Sequence, residues 1–252
     1  MLEDSFKEGL NTDLFARYIP LPELMGGIIY RDVTLKHTGI LTSLSNPPTS
    51  TSGWGFSNRS EGELRFNQDG YVDAGDECRL TQFTVTAWVY NRGGNSSGYV
   101  GIVTNTVDTH FYGWGLFLNI SGLDIVTLLI QSSVNEYDIN DSNTMSKNVW
   151  HFLTGTYDGV TGRLYIDGLE KSNLSATLEY EAGDHIVFGD ITNTLNANRR
   201  FIGSLSEVCI YNRVLRPVEI QYLYNRSLYQ ELLVQSEFPY IFPFRDYPYI
   251  KV

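Results

Sequence analysis

The stretch that decides the fold is Trp150 to Gly168, WHFLTGTYDGVTGRLYIDG. Two apolar-rich runs, 150–157 and 162–168, flank Asp158-Gly159. Asp-Gly tolerates the positive φ of a tight turn, so this segment predicts a β-hairpin. Upstream, Phe83 to Tyr90 (FTVTAWVY) alternates, with Val85, Ala87 and Val89 on one face and Thr84, Thr86 and Trp88 on the other. That period of two is the signature of a strand. Further strands are expected near 28–34, 62–67, 70–74, 98–104, 113–119, 123–131, 184–189 and 201–211. Gly, Asn and Asp cluster between them at 91–98, 138–143 and 189–198, which read as connections. Strands at regular spacing without intervening helices imply antiparallel sheets, hence an all-β sandwich or barrel.

One helix interrupts this pattern. Pro217 suits a first helical turn, Glu219 favours the positive end of the helix dipole, and Val218, Ile220, Tyr222, Leu223 and Tyr224 supply an apolar face. It is expected at about 216–226. Two segments read as extended arms outside the body. Residues 1–27 carry Pro20, Pro22 and Gly26-Gly27, and residues 229–252 end in an aromatic run broken by Pro239, Pro243 and Pro248. The body is placed at 28–228.

The chain has 252 residues and a formal net charge of −11. A nucleic-acid binder needs a basic surface to displace counterions, so nucleic acid is not an expected partner. No stretch of about 18 apolar residues crosses a membrane. The start, MLEDSFKE, lacks the apolar region of a secretory signal, so synthesis in a cytoplasm is expected. Cys78 and Cys209 are the two cysteines. They read as free, small hydrophobes, with a bridge left open.

Four ordered blocks carry a family resemblance. The 150–168 block resembles the W-x-x-V-x-x-T-Y-D-G…Y-x-D-G core of laminin-G-like domains, which have a concanavalin A-like fold. ELRFNQDGYVDAG (63–75), FTVTAWVY (83–90) and FIGSLSEVCIYNRVLRPVEIQYLY (201–224) are similar to its remaining strands and its helical ending. The resemblance implies an antiparallel two-sheet jelly-roll sandwich with one short C-terminal helix. The N-terminal stretch YIPLPELMGGIIYRDVTLKHTGILT and the aromatic C-terminal arm look like laminin-G-like proteins of tailed-phage virions.

The family implies calcium as its commonest ion. Oxygen ligands would come from Asp73, Asp76, Asn119 and Glu207, although Ser206 stands where the family's L-D-E-V strand has Asp. Glu136-Tyr-Asp-Ile-Asn-Asp141 is similar to the E-x-D-x-x-E signature of family-16-type glucanases, with Asp141 in place of the second Glu. That substitution, in a segment rich in turn residues, favours a solvated loop over an active site. His37, His110, His151 and His185 are scattered, and no Gly-x-Ser-x-Gly elbow, HExxH, Walker loop or GxGxxG motif accompanies them. Each His reads as an ordinary strand or loop residue, and no catalytic residue is expected.

The expected role is therefore non-catalytic: a virion surface protein, as capsid decoration or head-fibre module, working by protein contacts and contacts to glycans. A lectin-like module is the alternative, with a glycoside hydrolase behind it. Trp54, Tyr99, Tyr112 and Trp114 are the expected platforms for sugar rings. Phe238, Tyr240, Phe242 and Phe244 of the C-terminal arm are expected to dock on other virion proteins or on a second copy of the chain.

Overall fold

The computed structural model describes residues 14–21, 29–32, 40–43, 49–51, 63–67, 70–74, 78–93, 98–106, 112–119, 123–182, 184–191 and 200–225. Among the described residues, sixteen strands form two antiparallel sheets. The first sheet holds β1 (Leu14–Leu21), β2 (Ile29–Asp32), β4 (Thr49–Thr51), β5 (Glu63–Asn67), β7 (Phe83–Asn91), β12 (Trp150–Tyr157), β13 (Thr161–Ile166), β14 (Leu169–Ser175) and β16 (Ile202–Tyr211). The second holds β3 (Ile40–Ser43), β6 (Gly70–Asp73), β8 (Tyr99–Thr106), β9 (Gly113–Asn119), β10 (Ile125–Gln131), β11 (Glu136–Thr144) and β15 (His185–Phe188), in the order β11-β10-β9-β8-β15-β6-β3. One helix, α1, spans 217–225.

The Trp150–Gly168 segment lies at the heart of the nine-stranded sheet, with β12 between β7 and β13. Asp158 closes its turn by accepting from the backbone N–H groups of Val160 at 2.9 Å and Thr161 at 2.7 Å. The turn from β13 to β14 places Asp167 at φ 53° and Gly168 at φ 78°, the pair of positive values that a two-residue type I′ hairpin needs.

The core lies between the sheets. Val85, Ala87 and Val89 face it as the alternation predicts, alongside Leu116, Leu118, Leu128, Ile130 and Phe188. Phe83 stacks on Trp114 with ring centroids 4.7 Å apart. A second cluster, Trp88, Phe152, Tyr165, Cys209, Tyr211, Leu215 and Ile220, covers the outer face of the nine-stranded sheet, beneath α1. Trp88 is buried there against Phe152 and Tyr224, and Trp150 is partly buried beside it. Cys78 and Cys209 are buried in different clusters and are not joined in a disulfide.

α1 is fixed at its start by Glu219. Its carboxylate accepts from the Arg213 guanidinium at 2.9 and 3.0 Å, from the Arg216 backbone N–H at 2.7 Å, and from Arg216 Nε at 3.2 Å. The bond to the Arg216 backbone is the return half of a capping box. Burial alone would raise this carboxyl, but the arginine bonds outweigh it and hold the group below its ordinary value.

Two expectations are corrected. Residues 14–21 are not part of an arm: they form β1, between β16 and β2. Pro20 hides the strand in the sequence, yet it pairs only with Tyr30 of β2, because the β16 pairing runs from Leu14 to Tyr18. A missing N–H is tolerated where one side of the backbone has no partner strand. The supposed loop at 138–143 is the edge strand β11, in register with β10 from Glu136↔Gln131 to Thr144↔Ile125. β14 (LEKSNLS) closes the other sheet's edge with almost no buried side chain, so it carries no alternation to read. Polar edge strands of this kind resist pairing with other chains. The C-terminal arm, 229–252, lies outside the described residues.

Candidate functional site

The outer face of the seven-stranded sheet is where the fold concentrates polar chemistry. The registers line up one outward row across six strands: Asp73, Val187, Thr104, Gly115, Leu129 and Asp138. The middle of this face is filled. Gly189 and Phe201 join at 2.9 Å, closing the base of a loop whose first residues lie over β8. Thr104 Oγ1 donates towards the carbonyls of Asp190 and Ile191 at 3.1 and 3.2 Å. Gly101 permits this approach, since a Cβ there would collide with the Asp190 carbonyl. The loop is anchored by a buried ion pair, Arg200 Nε to Asp190 Oδ2 at 3.0 Å, with the guanidinium 5.7 Å from the Tyr71 ring centroid. Ile191 seals a small apolar cluster with Phe117, Leu129 and Tyr99.

What remains on this face is a polar strip along β10 and β11. Glu136, Asp138 and Asn140 point outward at alternate positions, opposite Gln131, Leu129 and Thr127. The Tyr99 hydroxyl donates to Asp138 Oδ2 at 2.5 Å, and Tyr99 packs edge-on against Phe117. Burial and the Asp138 carboxylate raise the Tyr99 hydroxyl well above its ordinary value, so it stays a donor. Partial burial, then the Asp138 charge, raise the Glu136 carboxyl. Gln131 Nε2 reaches Glu136 Oε2 at 3.4 Å, and Thr127 Oγ1 donates to Asn140 Oδ1 at 2.6 Å. Asp138 Oδ1 and Gln131 Oε1 are buried acceptors with no donor among the described residues. Each such deficit costs about 1–3 kcal/mol.

The expected site residues fare differently. Tyr99 stands on this strip, half-buried, and Tyr112 is half-buried just before β9. Trp114 is corrected: it is fully buried and stacked on Phe83, because its position on β9 points into the sandwich, so it offers no ring to a sugar. Trp54, Phe238, Tyr240, Phe242 and Phe244 lie outside the described residues.

The calcium set does not converge. Asp73 and Glu207 belong to different sheets, and Asp73 and Asn119 are separated by β15 and β8. Three strand spacings across the sheet, with four residues along the strand, place these two roughly 19 Å apart, whereas a cation needs ligands within about 2.6 Å. Ser206 is buried, and Asp76 lies outside the described residues. Among the described residues, no three His, Cys, Asp or Glu side chains group to hold a metal.

The carboxylates of β11 share a face, but the third member of that face is Asn140. Asp141, the stand-in for the glucanase's second Glu, is buried instead and takes a hydrogen bond from Asn143 at 3.3 Å. Strand alternation turns it off the outward row, since it directly follows Asn140.

One grouping escaped the sequence reading. His151 Nδ1 lies 2.8 Å from Asp167 Oδ2, and His151 Nε2 lies 2.9 Å from Ser146 Oγ. The residues are strung along the β11–β12 loop, the first turn of β12 and the β13–β14 turn, so no short motif marks them. The signal available was the pairing of the two hairpin ends, which sets His151 beside Asp167.

The comparisons agree with this architecture. Residues 66–221 match the model of the concanavalin A-like lectin/glucanases superfamily, of laminin-G type, over more than half of the chain. The chain belongs to this superfamily. No curated protein matches it. Among solved structures, this superfamily member is similar to domain 4 of AbnA, an extracellular arabinanase of Geobacillus stearothermophilus solved with arabinotriose. The identity is 19%, the TM-score 0.62, and the match covers 77% of this chain and 91% of that one. It is also similar to the binding domain of Paraclostridial Mosquitocidal Protein 1, at 20% identity and TM-score 0.65, covering 86% of this chain and 53% of that one. The serotype D botulinum neurotoxin binding domain, solved with N-acetylneuraminic acid, matches at 17% identity and TM-score 0.62, covering 88% and 53%. The chain thus spans about half the length of these toxin domains.

Proposed function

We propose that this chain is a carbohydrate-binding adhesion module that holds neutral sugars on the β10–β11 strip without cleaving them. The observation that carries this reading is the outward row of hydrogen-bonding side chains Glu136, Asp138 and Asn140 beside the Tyr99 ring. Sugar hydroxyls donate to carboxylate and amide oxygens of this kind, and a half-buried aromatic ring suits the apolar face of a pyranose or furanose. Domains of similar fold that were solved with arabinotriose and with N-acetylneuraminic acid support it. Charge selects between them. Glu136 and Asp138 repel an anionic sugar, and the whole chain carries −11. Neutral oligosaccharides are therefore preferred over sialylated ones. Nothing on the strip supplies the second, opposed carboxylate that glycosidic cleavage needs.

Calorimetric titration with arabino-oligosaccharides and with N-acetylneuraminic acid tests this. Binding of the neutral series, weakened about tenfold or more by Tyr99→Ala or Asp138→Asn, is expected. Heats that are absent across neutral oligosaccharides, or unchanged in both variants, would overturn it.

The setting we propose is a virion surface, where the aromatic run Phe238, Tyr240, Phe242 and Phe244 attaches the module to capsid proteins or to a second copy. The likeness of the termini to phage laminin-G-like proteins supports this. Mass spectrometry of purified particles is the direct test, and a chain whose assembly state ignores removal of 229–252 counts against the arm.

A further inference from the structure

The Ser146–His151–Asp167 line lies apart from the sugar strip, and none of the roles described above uses it. Asp167 accepts from the Phe152 backbone N–H through Oδ1 at 2.9 Å and faces His151 Nδ1 through Oδ2 at 2.8 Å. A carboxylate has no proton to give, so in the neutral imidazole the proton sits on Nδ1 and the lone pair on Nε2. That lone pair faces Ser146 Oγ at 2.9 Å. The imidazole side chain is 14% exposed and the Asp167 carboxylate 30%, while Ser146 is open to solvent. The base is shielded and the hydroxyl is reachable.

A bland reading would have the hydroxyl merely pin the loop. The loop is already pinned on both sides of Ser146. Met145 N donates to the Asp124 carbonyl at 3.0 Å, Lys147 Nζ pairs with Asp124 Oδ2 at 2.8 Å, and Asn148 N donates to the Asn91 carbonyl at 2.8 Å. These ties leave the Ser146 side chain no holding task and fix it in front of the imidazole. The loop and the partner turn also carry two non-glycine residues at positive φ, Asn148 and Asp167. Such backbone is retained where surrounding contacts over-determine it.

We propose that Ser146 is a nucleophile for acyl transfer, acting on small carboxylic esters presented at this open turn. His151 would act as general base and acid, and Asp167 as its positioning residue. Ser146 Oγ attacks the ester carbonyl carbon, forming an Oγ–C bond while its proton passes to His151 Nε2. The C–O bond to the leaving alkoxide then breaks, and the alkoxide takes that proton and departs as alcohol. Water, activated in turn by His151, cleaves the acyl-serine to a carboxylic acid and restores the hydroxyl.

A fluorophosphonate probe forms an Oγ–P bond with loss of fluoride, so it reports the nucleophile without a known substrate. The full chain is incubated with the probe and the adduct is mapped by tandem mass spectrometry, while p-nitrophenyl acetate hydrolysis is followed in parallel. A single adduct on Ser146 is expected, absent in Ser146→Ala and in His151→Gln, with hydrolysis lower by about 100-fold or more in both. Asp167→Asn should lower kcat and leave KM in place, which a merely structural role would not do. Ser146→Ala changes an exposed side chain, so an unaltered melting curve separates lost chemistry from lost fold. No adduct on the parent chain, an adduct elsewhere, or equal hydrolysis by parent and Ser146→Ala would overturn the proposal.

Discussion

Glu219→Gln is the perturbation that best tests how α1 is held. In the parent, this buried carboxylate takes two bonds from Arg213, one from the Arg216 backbone and one from Arg216 Nε. Arg213 is 25% exposed and Arg216 66% exposed, so water compensates Arg216 well and Arg213 only in part. The loss should therefore be smaller than for a fully buried pair and close to one charge-assisted contact with its cap, about 2–3 kcal/mol. For a domain of this size that lowers the melting temperature by roughly 5–10 °C. The pH dependence fixes the mechanism. The folded carboxyl is held below its ordinary value. Its stabilisation is thus fully present above the unfolded value near about 4.3 and lost as pH falls through the folded one. Thermal melts of parent and variant, followed by circular dichroism and by tryptophan fluorescence, should differ at pH 7 and converge in acid. A shift under about 1 °C at neutral pH, or a gap that persists at low pH, would refute the argument.

Arg200→Met leaves the Asp190 carboxylate buried without its cation, so urea unfolding should show a loss of about 3–5 kcal/mol. Trp114→Ala empties a core site and should cost about 3–5 kcal/mol, whereas Tyr99→Phe should leave stability within about 1 kcal/mol and act on sugar binding. Because the oxygen ligands expected for calcium are spread over two sheets, calcium followed by chelator should move the melting temperature by less than about 1 °C. A larger, reversible shift would show a site assembled elsewhere on the chain.

The sandwich was legible because its central strands obey simple rules. Val85, Ala87 and Val89 alternate, Asp158-Gly159 and Asp167-Gly168 turn, and Pro217 opens the helix. The edges were not legible, for a physical reason. β11 and β14 bury so few side chains that only pairing with β10 and β13 makes them strands, and composition then reads EYDINDSNT as loop. β1 was hidden by Pro20, whose cost depends on whether a neighbour occupies that side of the backbone.

The same edge explains why the sugar strip was half seen. Tyr99 could be named from its residue type, but Asp138 and Gln131 matter because a register sets one against Leu129 and the other against Glu136. Trp114 was misplaced since a single register step decides whether its ring meets solvent or Phe83. His151 shows the limit most sharply. Its partners lie 5 and 16 residues away along the chain, at spacings no short motif encodes. They meet because the β11–β12 loop and the β13–β14 turn come together at the same end of the nine-stranded sheet. A scan for elbows and motifs asks for neighbours in sequence, whereas acid–base chemistry needs only neighbours in space. The residues to suspect in a sandwich are therefore those at strand ends, where separate turns converge.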